Sequence, residues 1–174
     1  MKQEFDAANR EYTLLVVDDN DMNRDLMSAQ FSRAGYSVML ASSGYQALDR
    51  IESHHIDLVL LDMMMPGMSG LDVLAEIRKD YSLLNLPVII VTADDLEQSV
   101  ITALQAGAND YLTKPLNLPV ALARVKTQLG SRKLAALKDE FARFASHDLK
   151  KPLIVIQDIV GEIERTCKPG QTVT

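Results

Sequence analysis

Short unbroken apolar runs recur along the first two thirds of the chain, with amphipathic stretches between them. Leu14-Leu15-Val16-Val17, Leu58-Val59-Leu60-Leu61 and Val88-Ile89-Ile90-Val91 contain no polar position. A strand with one wet face alternates, so continuous runs point to strands covered on both faces. The pattern predicts strands at Thr13–Val17, Ser37–Ala41, Leu58–Leu61, Val88–Val91 and Asp110–Thr113. Between them, Leu26, Met27, Gln30, Phe31 and Ala34 recur at helical spacing, and Gly35 closes the segment. Ala47, Leu48 and Ile51 mark a second helix, and Leu71, Leu74, Ala75 and Ile77 a third. Val100, Ala103 and Leu104, ended by Gly107, mark a fourth; Leu118, Leu122, Val125 and Leu129 mark a fifth, beginning near Leu116. Strands alternating with helices predict an α/β fold: a five-stranded, doubly wound parallel sheet with right-handed crossovers.

The apolar rhythm stumbles at Gly130-Ser131-Arg132 and resumes as Leu134, Leu137, Phe141 and Phe144, set among Lys, Arg, Asp and Glu. A seam holding two phenylalanines needs a partner surface, and a parallel helical dimer is the expectation. This divides the chain into a tail (1–12), an α/β domain (13–129) and a helical extension (130–174). At 174 residues the chain is long for one compact unit and short for two.

Composition narrows the class. With 47% apolar and 24% charged residues, the chain is globular rather than disordered. No run approaches 18 apolar residues, so no membrane segment is expected. The N-terminus, Met1-Lys2-Gln3-Glu4-Phe5-Asp6, has no apolar signal core, which points to a cytoplasmic protein. The single cysteine, Cys167, excludes an intrachain disulfide. A net charge of −6 argues against a nucleic-acid partner. Neither G-x-G-x-x-G nor G-K-[ST] occurs, which argues against nucleotide binding.

In open parallel sheets, ligands bind beyond the carboxyl ends of the strands. The residues predicted there are Asp18-Asp19, Asp62, Thr92 and Lys114-Pro115. Three converging carboxylates repel one another unless a cation is shared. Mg²⁺, a hard ion content with few protein oxygens and several waters, suits them. Phosphoryl transfer asks for the same residue types: a carboxylate nucleophile, cations on the oxygens and a hydroxyl donor. Met63-Met64-Met65 reads as packing rather than a soft-metal site, and His54-His55 as a solvated helix end.

The combination resembles a two-component response-regulator receiver domain, which has a flavodoxin-like fold, from about Thr13 to Leu129. The motifs are Val17-Asp18-Asp19-Asn20, Leu61-Asp62-Met63-Met64-Met65-Pro66-Gly67-Met68-Ser69-Gly70, Val91-Thr92-Ala93 and Ala106-Gly107-Ala108-Asn109-Asp110-Tyr111-Leu112-Thr113-Lys114-Pro115. The resemblance implies that Asp62 is the phosphoacceptor, served by a phosphodonor histidine kinase or phosphotransfer protein. It implies that Asp18, Asp19, Asp62 and the Met64 carbonyl hold Mg²⁺. Thr92 and Lys114 would contact phosphoryl oxygens, Thr92 and Tyr111 would form the switch, and Lys114–Pro115 would be cis. Asp94 occupies a position that tunes acyl-phosphate hydrolysis in the family. Gly70 suits a close-packed or strained position.

Lys138-Asp139-Glu140-Phe141-Ala142-Arg143-Phe144-Ala145-Ser146-His147-Asp148-Leu149-Lys150-Lys151-Pro152-Leu153 resembles the H-box of a histidine-kinase dimerisation domain, with Lys151 where that family has Thr. The resemblance implies that His147 accepts phosphate, with Asp148 as the neighbouring base, and that Pro152 bends the helix. Lys168-Pro169-Gly170 reads as a turn. No ATP-binding domain follows, so the expected parent is a longer protein histidine kinase. The rival expectation is a non-catalytic receiver adaptor that dimerises through its C-terminal helix, with His147 unphosphorylated. A haloacid-dehalogenase-like phosphatase is disfavoured, because Asp18-Asp19-Asn20-Asp21 lacks its Asp-x-Asp spacing and leaves Asp62 without a role.

Overall fold

In the computed structural model, residues 12–93 and 97–166 are described, and of 97, 144–159 and 161–166 the backbone alone. Five strands form one parallel sheet: β1 (Thr13–Val17), β2 (Ser37–Ala41), β3 (Leu58–Asp62), β4 (Val88–Thr92) and β5 (Asp110–Thr113). Their order is β2-β1-β3-β4-β5. Five helices connect and follow them: α1 (Asp21–Arg33), α2 (Gly44–Ser53), α3 (Gly70–Asp80), α4 (Glu97–Gln105) and α5 (Leu118–Thr166). The fold is the predicted doubly wound sheet, and no described helix is long and apolar enough to cross a membrane.

The continuous apolar runs are buried on both faces, as their lack of alternation requires. Every residue of β3 and β4 is buried, and four of five in β1. Leu14, Val16, Leu58, Leu60, Ile89 and Val91 face Met27 and Phe31 of α1 and Ala121, Val125 and Leu129 of α5. Leu15, Val17, Val59, Leu61 and Ile90 face Ala47, Ile51, Val73, Leu74 and Ile77 of α2 and α3, with Ala103 of α4. Each fully buried leucine of this kind contributes about 1.5–3 kcal/mol relative to exposure.

The helices begin where the sequence supplies caps. The Asn20 side chain accepts from the Met22 and Asn23 amides, and the Ser43 side chain from that of Gln46. Ser69 and Asp72 form a reciprocal capping box at α3. Helix α1 ends through Gly35 at φ 93°, which lets the Tyr36 amide donate back to the Phe31 carbonyl. Not all residues on the predicted helical stripes are buried: Leu26 and Leu104 are exposed, while Met27, Phe31 and Ala103 carry the packing.

At Gly130-Ser131-Arg132, where the apolar rhythm stumbles, the helix itself is unbroken: α5 runs through it and on past Pro152. One exposed glycine costs a helix only about 1 kcal/mol relative to alanine, while the Ser131 hydroxyl bonds the Thr127 carbonyl at 3.0 Å. The chain divides into two compact units, Met1–Lys133 and Leu134–Thr174. In the second, Leu134 and Phe141 are 70% and 72% exposed, and Leu137 is exposed too. The side chains of Phe144, His147 and Asp148 lie outside the described residues, as do Asp94 and the predicted turn at 168–170.

Candidate functional site

Parallel strands of matched register end together, and their carboxyl ends gather the predicted residues at one edge. Asp62 is the last residue of β3, paired with Val91, and Thr92 is the last of β4, paired with Thr113 of β5. The strands therefore reach one residue further than the apolar runs and carry the polar groups on their final rungs. Asp18, Asp62 and Thr92 are buried, whereas Asp19 is exposed.

Lys114 joins the cluster. Its Nζ donates to Asp18 Oδ2 at 2.7 Å and to Asp62 Oδ2 at 2.9 Å. The peptide bond to Pro115 is cis. Burial pushes the Asp62 carboxyl above the usual carboxylate range; the Lys114 bond and charge pull it down, and the Asp18 charge pushes it up again. Burial opposes the charge on Lys114, yet its bonds to Asp18 and Asp62 outweigh that, leaving its ammonium above the ordinary lysine value. One cation thus answers two buried carboxylates, with a third beside them.

Carboxylate oxygens of Asp18, Asp19 and Asp62 lie within 4.8 Å of one another. An all-oxygen donor set with excess negative charge and an exposed member fits a hard divalent cation that keeps some of its waters. Met64 sits beside the cluster, its amide 3.4 Å from Asp62 Oδ1 and its residue 73% exposed. Met63 and Met65 turn into the core, so alternate members of the methionine run do opposite things.

Gly70 is needed for closeness rather than for a special backbone angle. A Cβ there would lie 2.3 Å from the Asp62 carbonyl oxygen and 2.8 Å from Met63 Cα, and positive φ occurs only at Gly35, Gly67 and Gly107 among the described residues. The start of α3 is thereby pressed against the backbone that carries Asp62.

Sequence reading missed the residues that hold this edge in place. Asn23 Nδ2 reaches both oxygens of Asp18 at 3.2 Å, and Arg24 Nη1 donates to the Asp18 carbonyl at 2.6 Å. Their signal was present: both are donors in the first turn after an Asp pair. Arg124 was missed as well. It ion-pairs with Asp110, donates to the Tyr111 carbonyl and lies over the Tyr111 ring, 4.9 Å from its centroid.

A flavodoxin-like sheet with three acids, a hydroxyl and a lysine on its carboxyl edge defines a class, and comparison agrees. The chain belongs to the response regulator receiver domain family, whose profile matches residues 14–126. It is similar to the receiver domain of Francisella response regulator 1452, with 32% identity, TM-score 0.64, and coverage of 68% of this chain and 97% of that one. A CheY-like receiver domain protein from Methanospirillum hungatei shares 27% identity at TM-score 0.66, covering 71% and 98%. A two-component system response regulator/GGDEF domain protein shares 31% identity at TM-score 0.71 over 74% of this chain. That match spans 53% of the latter protein's length.

Proposed function

We propose that Asp62 accepts a phosphoryl group from the phosphohistidine of a histidine kinase or phosphotransfer protein, with Mg²⁺, and that this regulates a C-terminal helical dimerisation module of histidine-kinase type. Receiver domains of two-component signalling are phosphorylated on aspartate, and the observation that supports Asp62 is the Lys114 bridge joining it to Asp18. Asp18, Asp19 and Asp62, with the Met64 carbonyl, are the residues to hold the ion. When bound, Mg²⁺ neutralises charge on the transferring phosphoryl oxygens.

The Asp62 carboxylate attacks phosphorus in line; an O–P bond forms, the N–P bond breaks, and its electron pair returns to the donor imidazole. Lys114 leaves part of its carboxylate pairing to meet one phosphoryl oxygen, and the Thr92 hydroxyl meets another. Thr92 and Tyr111 then constitute the switch. A small-molecule phosphodonor with Mg²⁺ should place hydroxylamine-sensitive phosphate on the wild type and none on Asp62→Asn; labelling of the variant would overturn the assignment.

For the C-terminal unit, support comes from Ser146-His147-Asp148-Leu149 on a helix and from the exposed Leu134, Leu137 and Phe141. His147 is the proposed phosphoacceptor and Asp148 its base, in a region we take as the linker and first helix of a dimerisation domain. Light scattering with and without beryllofluoride tests the coupling; a mass indifferent to the mimic, in both wild type and Phe141→Glu, would refute it. The exposed seam also suits an adaptor that dimerises without histidine chemistry. Acid-labile phosphate on His147, lost in His147→Gln, separates the two.

A further inference from the structure

We infer that Arg124 is a positioning residue for the switch: it holds Tyr111 in its half-exposed arrangement, and the ring must leave this cation for the phosphorylated state to form. The inference rests on the proposed role of Tyr111 and deepens it. Helix α5 passes β5 such that one guanidinium meets three groups of two consecutive residues. It ion-pairs with the Asp110 carboxylate, donates to the Tyr111 carbonyl and covers the Tyr111 ring face, 4.9 Å from the centroid. The Asp110 carboxylate is itself fixed, accepting from the Tyr111 amide at 2.8 Å.

These contacts differ in what they allow. The carboxylate and carbonyl bonds end on groups tied to the β5 backbone and survive rotation of the Tyr111 side chain. The ring contact does not survive it. Arginine suits this division because its planar fork can donate at its edges while its face stacks on an aromatic ring. Breaking the ring contact therefore opposes the switched state in the unphosphorylated protein. Because Arg124 lies on α5, the change at Tyr111 is felt first by the helix that carries the chain onward.

The test follows Tyr111 directly in the full 174-residue chain. The chain has five tyrosines and no tryptophan, so 3-fluorotyrosine labelling gives few signals, and Tyr111→Phe assigns the relevant one. Beryllofluoride with Mg²⁺ is titrated into wild type, Arg124→Ala, Arg124→Gln and Arg124→Lys. Without the mimic, the Ala and Gln variants should already shift the Tyr111 resonance toward its mimic-bound position. Their titration midpoints should fall roughly three- to tenfold, the range a lost cation–π contact commands. Removing a positive charge would by itself weaken anion binding, so tightening identifies release of the ring rather than a change of field. Lys, which keeps the charge without the planar face, should lie between. Alanine and glutamine are both good helix formers, so failure of one variant to fold leaves the other to decide. Wild-type resonance and midpoint in a folded Ala or Gln variant would overturn the inference while leaving Tyr111 as the switch. A wild-type Tyr111 resonance that ignores beryllofluoride would overturn the switch and the inference together.

Discussion

The two edges of the sheet handle charge in opposite ways. At the amino edge, Arg78 and Asp57 are each matched by several neighbours. Arg78 of α3 donates to the carbonyls of Gly107 (2.7 Å), Leu86 (3.0 Å) and Tyr81 (3.3 Å) and to Asn109 Oδ1 (2.9 Å). Asp57, just ahead of β3, takes the Thr13 amide at 2.7 Å, ion-pairs with Arg132 and has His55 Nε2 at 3.3 Å. At the carboxyl edge, Asp18 and Asp62 share one lysine, with Asp19 beside them. One edge has Arg78 and Asp57 answered by neighbours, whereas the other carries surplus negative charge that a cation or a proton relieves. The candidate site thus lies where charge is left unbalanced.

That contrast can be broken from either side. Gly70→Ala should have the largest effect, since its Cβ meets backbone and not a yielding side chain. We expect a loss of about 3 kcal/mol in urea unfolding, with phosphoryl uptake falling even in the folded fraction. Arg78→Ala should cost about 2–3 kcal/mol by stranding buried acceptors. Phosphoryl uptake per folded molecule should stay unchanged, because the damage lies at the opposite edge; a comparable loss of uptake would show that the edges are not independent.

Asp62→Asn should move stability the other way. Burial holds the Asp62 carboxyl above its unfolded value, so the folded state binds the proton more tightly. The group therefore favours folding below the ordinary carboxylate range and turns against it as pH rises through the raised value. The variant should gain a few degrees in Tm at neutral pH, and the gain should vanish on acidification. A gain independent of pH would point to packing rather than charge. Ser69→Ala, which opens the capping box of α3, should cost about 1 kcal/mol; because Ser69 adjoins Gly70, it also shows whether the edge tolerates a frayed helix start.

Local pattern carried most of the fold. Unbroken apolar runs announced covered strands, and Gly35 and Gly107 marked helix ends through backbone chemistry that acts within a few residues. The core side of each helix was less legible, because a stripe of apolar residues does not say which members touch the sheet: Leu26 and Leu104 stayed exposed beside buried Met27 and Ala103. The site acids and lysine were legible because strand ends in a parallel sheet are predictable places. Asp57 and Arg132, 75 residues apart, and Arg78 and Asn109, 31 apart, left no trace in the pattern.

The sequence by itself determined the order of strands and helices, the glycine ends of two helices, and the set of residues brought to the carboxyl edge, since these follow from periodicity and short-range backbone chemistry. Only the tertiary structure decided which donors meet which acceptors: Lys114 between Asp18 and Asp62, Asn23 on Asp18, Arg124 over Tyr111. Those choices depend on distances of a few ångströms between elements far apart in the chain, and packing, not pattern, sets them.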